Sequence, residues 1–225
     1  MDPLSDVLSL LKPRSHVSAG FDAGGDWSIA FPRNAGIKCY AVASGGCWLV
    51  VDGIDAPVRI AAGDCFLLPS GRPFRTCSHP DVPPVDAGTV FPPPRAGGVI
   101  TYNGGGDVFL VGSRFVLSGA HADVLLSMLP PIVHIRKESD QSALRWSVER
   151  MMHELQNPQP GNFLVAQHLA HMMMIQALRI HLAEGKAGGV GWLFALADRQ
   201  MGAAIQAMHA DPSRRWTLQN LAEHA

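Results

Sequence analysis

Gly36-Ile-Lys-Cys-Tyr-Ala-Val-Ala-Ser-Gly-Gly-Cys-Trp-Leu-Val-Val-Asp-Gly53, followed by Gly63-Asp-Cys-Phe-Leu-Leu-Pro-Ser-Gly-Arg-Pro-Phe74-Arg-Thr-Cys-Ser-His79, is the stretch that decides the fold. Short runs of β-forming residues (Cys39–Ala43, Cys47–Val51, Val58–Ala61, Cys65–Leu68 and Phe74–Cys77) are cut about every ten residues by turn formers. The turns are Ser44-Gly45-Gly46, Asp52-Gly53, Ala62-Gly63-Asp64 and Pro69-Ser70-Gly71. Many short strands at even spacing predict antiparallel β-structure, a sandwich or a small barrel. A closed barrel of that size holds its own side chains or one small ligand, so its interior decides what the chain does.

Working outward, Trp27–Phe31 reads as a strand before Pro32 and Asn34 turn the chain. Gly98–Asn103 and Val108–Leu117 read as the last strands, with Gly104-Gly105-Gly106-Asp107 as a hairpin turn between them. Pro80–Gly98 holds six of the chain's 17 prolines and is predicted to be a loop or irregular edge, not a helix. Asp2–Leu11 has apolar residues at 4, 7, 8 and 11 behind an Asp-Pro start, which is helical spacing.

After Ser118 the periodicity changes from two to 3.6. Helices are predicted over His121–Leu129, Asp140–Gln156, Phe163–Glu184, Trp192–Ala197 and Met201–His209. A further one starts at Trp216, with Thr217 as N-cap. In the longest, Leu164, His168, His171, Ile175, Leu178 and Leu182 form a coiled-coil-like seam at steps of four and three, a face that can meet a second helix or a second subunit. A second apolar strip on the same helix covers the β-structure. The last helical pattern stops without a C-cap signal, so the sequence is expected to end inside an element.

Composition bounds the function. Hydrophobic residues at 47% and charged residues at 16% of 225 are ample for a core. A formal net charge of −1 leaves no electrostatic footprint for nucleic acid. The start has no signal-peptide pattern, and no apolar run is long enough for a membrane span, so a cytoplasmic protein without membrane contact is expected. The four cysteines, Cys39, Cys47, Cys65 and Cys77, are separated by 8, 18 and 12 residues, which is poor metal spacing and fits small buried hydrophobes.

Chemistry-bearing motifs are scarce. There is no His-x-His in the central stretch, no Gly-x-Ser-x-Gly and no phosphate-binding loop. His168 and His171 are spaced to chelate but lack an evident third ligand. No catalytic residue, metal or cofactor is therefore assigned. What remains is an aromatic interior of the kind that takes a small molecule. Alternation puts Tyr40 with Val42, and Phe74 with Thr76, on shared faces. Trp48 is expected to stack on a planar or sugar-like effector, and Arg33 to meet an anionic group.

Several motifs are familiar in combination: Asp2-Pro-Leu-Ser-Asp-Val-Leu, Gly45-x-x-Trp48, Gly63-Asp64-x-x-x-Leu68-Pro69-x-Gly71-Arg72-Pro73, Leu129-Pro130-Pro131, and His209-Ala-Asp-Pro212-x-Arg-x-Trp216-Thr-x-x-x-Leu221-Ala. Together they make the chain resemble the AraC family of bacterial transcription regulators, in the branch with a cupin-type N-terminal domain. The resemblance implies a mainly β plus α chain: a cupin-like antiparallel β-barrel (residues 1–118), a helical dimerisation segment (119–197), and the start of a helix-turn-helix unit (198–225). It implies a homodimer, an unidentified small-molecule effector bound near Arg33, Tyr40, Trp48, Phe74 and Thr76, and promoter DNA reached through helix-turn-helix parts beyond Ala225. Many members carry His where this chain has Tyr40 and Phe74, which argues against a metal. The Leu-Cys-Gly of oxidant-sensing members reads Val111-Gly112-Ser113 here. The rival readings are a metal-dependent cupin enzyme and a dimerisation module with a filled barrel.

Overall fold

The computed structural model describes residues 14–91, 98–117, 129–136, 142–184 and 199–224, with residues 5, 126 and 195 singly. The helices expected at Asp2–Leu11, His121–Leu129 and Trp192–Ala197 fall largely outside these residues, as do the segment borders at 118/119 and 197/198.

The strands are β1 (Arg14–Ala23), β2 (Ser28–Phe31), β3 (Ile37–Ser44), β4 (Gly46–Val51), β5 (Val58–Ala61) and β6 (Cys65–Leu68). They continue with β7 (Phe74–Cys77), β8 (Val85–Asp86), β9 (Val99–Tyr102), β10 (Val108–Val116) and β11 (Val133–Ile135). One sheet has the order β11-β6-β3-β10-β1-β9 and the other β5-β4-β7-β2-β8. Helices α1 (Ser142–Gln156), α2 (Asn162–Glu184), α3 (Arg199–Ala210) and α4 (Leu218–His224) follow. The β-plus-α architecture is the one expected, and all five strands of the central stretch are present. Closure is not: the two sheets face each other without joining into a barrel. The strands β5, β8, β9 and β11 are the sheet edges and pair on one side only, so hydrogen bonding does not run around a ring.

Alternation explains why the larger sheet is buried on both sides. Ile37, Cys39 and Ala41 of β3, with Phe109, Val111 and Phe115 of β10, pack in a core with α1 and α2. Val42, Val108 and Leu110 turn the other way and share a second core with Ile29, Leu49, Val51 and Phe74 of the smaller sheet. From α1, Leu144, Val148, Met151 and Leu155 form one buried stripe at helical spacing.

Sequence reasoning missed three strands, β1, β8 and β11, and the first of them changes one connection. β1 lies between β9 and β10, parallel to the first and antiparallel to the second. The Gly104–Asp107 turn is therefore not a hairpin but a crossover over the end of β1. It is held there by the Gly106 N–H donating to Asp22 Oδ1 at 2.8 Å and the Gly25 N–H donating to Asp107 Oδ2 at 2.7 Å. A second parallel pair joins β2 to β8. Within the proline-rich segment predicted as loop, β8 leads into a helical turn, Ala87–Val90, whose N-cap is the Asp86 carboxylate.

The seam of α2 is not one exposed face. Leu164 is 60% exposed and His168 is exposed, whereas Leu178 is 4% exposed and sits in the helix–sheet core. His171 stands edge-on to Phe115 at 5.1 Å, and Ile175 is half-buried. The side chain of Leu182 lies outside the described residues. The helix packs along β1, β3, β6 and β11, so the stripe that starts free at its first turn is covered further on. Near the end of the chain, Thr217 caps α4 as expected: the Asn220 N–H donates to its Oγ1 at 3.1 Å.

Leu178→Ala should leave a cavity in this core and cost about 2–5 kcal/mol of stability, read from the urea midpoint of unfolding. An unchanged midpoint would mean that α2 does not bury this residue.

Candidate functional site

Between the sheets lies a cavity of 440 Å³, within the range of small-molecule sites. Its wall on the larger sheet comes from alternate residues of two neighbouring strands, Lys38 and Tyr40 of β3 and Leu110, Gly112 and Arg114 of β10. The smaller sheet contributes Ile29, Phe31 and Thr76. Ala19 and Phe21 of β1, Ser113 of β10, and Ala87, Gly88 and Phe91 from the helical turn and its end complete the lining.

The aromatic side chains are mutually supporting. Phe31 stacks on Phe74 with centroids 4.6 Å apart and planes 8° from parallel. Tyr40 stacks on Phe66 at 5.2 Å and meets the edge of Phe74 at 5.8 Å. Phe91 bridges Phe21 (5.5 Å) and Phe31 (5.8 Å). Tyr40 can lie flat only because position 112 has no side chain. A Cβ on Gly112 would come within 2.5 Å of Tyr40 Cε1.

The electrostatics are unusual for an apolar chamber. Lys38 and Arg114 are directly paired in the β3–β10 register and both line the cavity. Burial, and secondly the Arg114 guanidinium, pull the Lys38 ammonium down from 10.5 to about 8. The Lys38 Nζ lies 5.4 Å from the centroid of the Phe31 ring. Burial pushes the Tyr40 phenol up, so it stays protonated at ordinary pH.

Sequence reasoning placed five effector residues, and the structure brings some of them together. Tyr40 and Thr76 line the cavity, and Phe74 supports the wall behind Phe31 and Tyr40. Trp48 does not take part. It stands on the outer face of β4, with the Arg59 guanidinium 5.6 Å from its ring, because Cys47, Leu49 and Val51 take the inner positions. Arg33 is exposed in the turn after β2 and does not line the cavity. The cations that do, Lys38 and Arg114, were missed, although alternation from Tyr40 and Leu110 marks both.

The chemistry of the lining does not suit a metal. The lining holds no His, Cys, Asp or Glu among the described residues, and its charged groups, Lys38 and Arg114, are cationic. Among the described residues no three His, Cys, Asp or Glu converge. The best-buried polar pair, His134 Nε2 and Asp64 Oδ2 at 3.1 Å, has a structural setting. Asp64 Oδ2 also accepts from the Ala61 N–H at 3.0 Å in the β5–β6 turn.

The four cysteines are buried and free. Burial pushes the Cys47 thiol up to about 12 and raises that of Cys77. A hydrogen bond with Cys39, and then burial, raise Cys65 well above the usual thiol range.

A family model described as Cupin matches residues 2–183. Over 227 aligned residues, the whole chain is 42% identical to an AraC-like transcription regulator of Streptomyces lividans, covering 74% of that protein. It is 41% identical to one of Streptomyces antibioticus, again over the whole chain and 74% of the relative. Among solved structures, an apo form of ToxT from Vibrio cholerae overlaps 92% of this chain and 69% of its own, at 12% identity and a TM-score of 0.41. A likeness that loose carries no argument.

Replacing the half-buried Lys38 cation should stabilise the fold. Lys38→Met is expected to gain about 1–3 kcal/mol at neutral pH. Lys38 releases its proton near pH 8 in the folded chain and at 10.5 when unfolded. Below pH 8 both states are protonated and the fold carries the full cost. Between the two values the folded state deprotonates first, and the native chain recovers against the variant. Paired chemical-denaturation curves from pH 7 to about 10.5 should converge upward. A constant gap would refute the burial of this ammonium.

Proposed function

This chain belongs to the cupin family and to the AraC-like transcription regulators, and from that membership we propose that it is the effector-binding and dimerising region of such a regulator, not an enzyme. The observation that carries the reading is the 440 Å³ aromatic-walled cavity between the sheets, in a chain alike to named regulators from end to end. A small molecule seated against Tyr40 and Thr76, backed by Phe74, would favour one arrangement of the domain and so bias the regulator it belongs to.

The sequence-derived segments fit this division of labour. Residues 1–118 would hold the effector, 119–197 the dimer contact, and 198–225 would belong to a helix-turn-helix unit that addresses DNA. In support of the last, α3 and α4 are joined by a short turn. There the Trp216 Nε1–H donates to the Asp211 carbonyl at 3.0 Å, and the Arg214 guanidinium covers the Trp216 ring at 4.3 Å. Cytoplasmic action follows from the same reading. The dimer contact is best supported at the first turn of α2, where Phe163, Leu164 and Val165 are 41%, 60% and 39% exposed. His168 adjoins them on that side, whereas Leu178 is committed to the core.

The rival readings have less behind them. A metal-dependent enzyme needs several converging ligands, and the cavity offers aromatic rings and cations instead. A filled interior would require Trp48, Tyr40 and Phe74 to pack into each other, but Trp48 is outside and space remains.

In a reporter assay of the full-length regulator, Gly112→Val should displace Tyr40 into the cavity and abolish the effector response while leaving the melting temperature within a few degrees. A full response in the variant would remove the cavity from the mechanism. For the dimer, Leu164→Glu should weaken self-association by at least about tenfold in light scattering, with the circular-dichroism melt unchanged. An unaltered mass distribution would place the contact elsewhere.

A further inference from the structure

We propose that the cavity takes a small carboxylate with an apolar body, its charged head between Lys38 and Arg114 and its body against Phe21, Phe31 and Phe91. The proposal rests on the effector-binding reading and adds the chemical class of the ligand.

Three observations carry it. First, Lys38 and Arg114 are direct partners across β3 and β10 and both face the cavity. Like charges directly opposite on one sheet face oppose folding, so the arrangement works against stability in the unliganded chain. Second, among the described residues nothing acidic offsets them: no described Asp or Glu lines the cavity, and the ion pairs of the described residues involve neither cation. Buried or half-buried charge is ordinarily paired. Here the missing counter-charge is on the ligand side. Third, the remainder of the wall is mostly aromatic and aliphatic, with Thr76, Ser113 and the Tyr40 phenol as its neutral polar side chains. A guanidinium fork can take two carboxylate oxygens side by side while the ammonium adds a point charge. A neutral apolar ligand would leave both cations without a partner, and a polyanion would leave the aromatic wall unused.

The test uses the 225-residue chain and three pairs of probes in calorimetry: octanoate with 1-octanol, 3-phenylpropanoate with 3-phenylpropan-1-ol, and 1-naphthoate with 1-naphthalenemethanol. Octyl phosphate is run beside octanoate. At least one carboxylate should bind saturably and about ten- to a hundredfold tighter than its alcohol. Raising salt should narrow that margin. Lys38→Met and Arg114→Met should each erase most of the margin, lowering the carboxylate's affinity far more than the alcohol's, with folding verified by circular dichroism. Alcohols that bind as tightly as carboxylates, or variants that keep the margin, would overturn the anionic class but leave the cavity as an effector site. Octyl phosphate binding more tightly than octanoate would overturn the carboxylate assignment. Failure of every probe at millimolar concentration would overturn the inference too, and the Gly112→Val reporter assay then decides separately whether the cavity is a site at all.

Discussion

The structure depends on the two-sided burial of β3 and β10. Each strand alternates between a helix-facing core and a sheet-facing one, and neither set of side chains can be exchanged for the other. A slip of one residue in β3 would turn Lys38 and Tyr40 toward α1 and α2 and bring Ile37, Cys39 and Ala41 into the chamber. That parity holds a lysine opposite an arginine despite their repulsion. The apolar residues between them set the register, and the cations have to follow.

How much of this could be read from the sequence depends on where each element gets its partner. The five strands of the central stretch were legible because each is bounded by its own turn residues, as at Gly45, whose φ of 72° stays open to glycine at low cost. β1 was not legible. Arg14–Ala23 has a glycine, two serines and mixed polarity, and it becomes a strand by pairing with β10 far along the chain. The same long-range pairing turned the expected Gly104–Asp107 hairpin into a crossover. Barrel closure was inferred from strand number and spacing, whereas it depends on edge length and register, which spacing does not encode.

The site shows the same split. Alternation correctly grouped Tyr40 with Val42 and Phe74 with Thr76, but it does not say which of a strand's two faces is inner. For β4 the small and aliphatic Cys47, Leu49 and Val51 won the interior, and Trp48 went outside to meet Arg59. Arg33 was chosen for nearness in sequence to the first strands, although a turn residue is free to point to water. Phe91 could not be placed from sequence, since its approach relies on a helical turn within a segment dominated by proline.

The four thiols have a consequence for how this protein ages. All four are enclosed, and the thiols of Cys47, Cys65 and Cys77 are pushed up by their surroundings, so neither peroxide nor an alkylating reagent reaches these sulfurs while the native packing lasts. Damage must wait for the core to open, and its pace is then set by the opening equilibrium and not by sulfur chemistry. The cysteines thereby act as a built-in clock: the fraction of molecules carrying modified sulfur records how often the two cores have come apart.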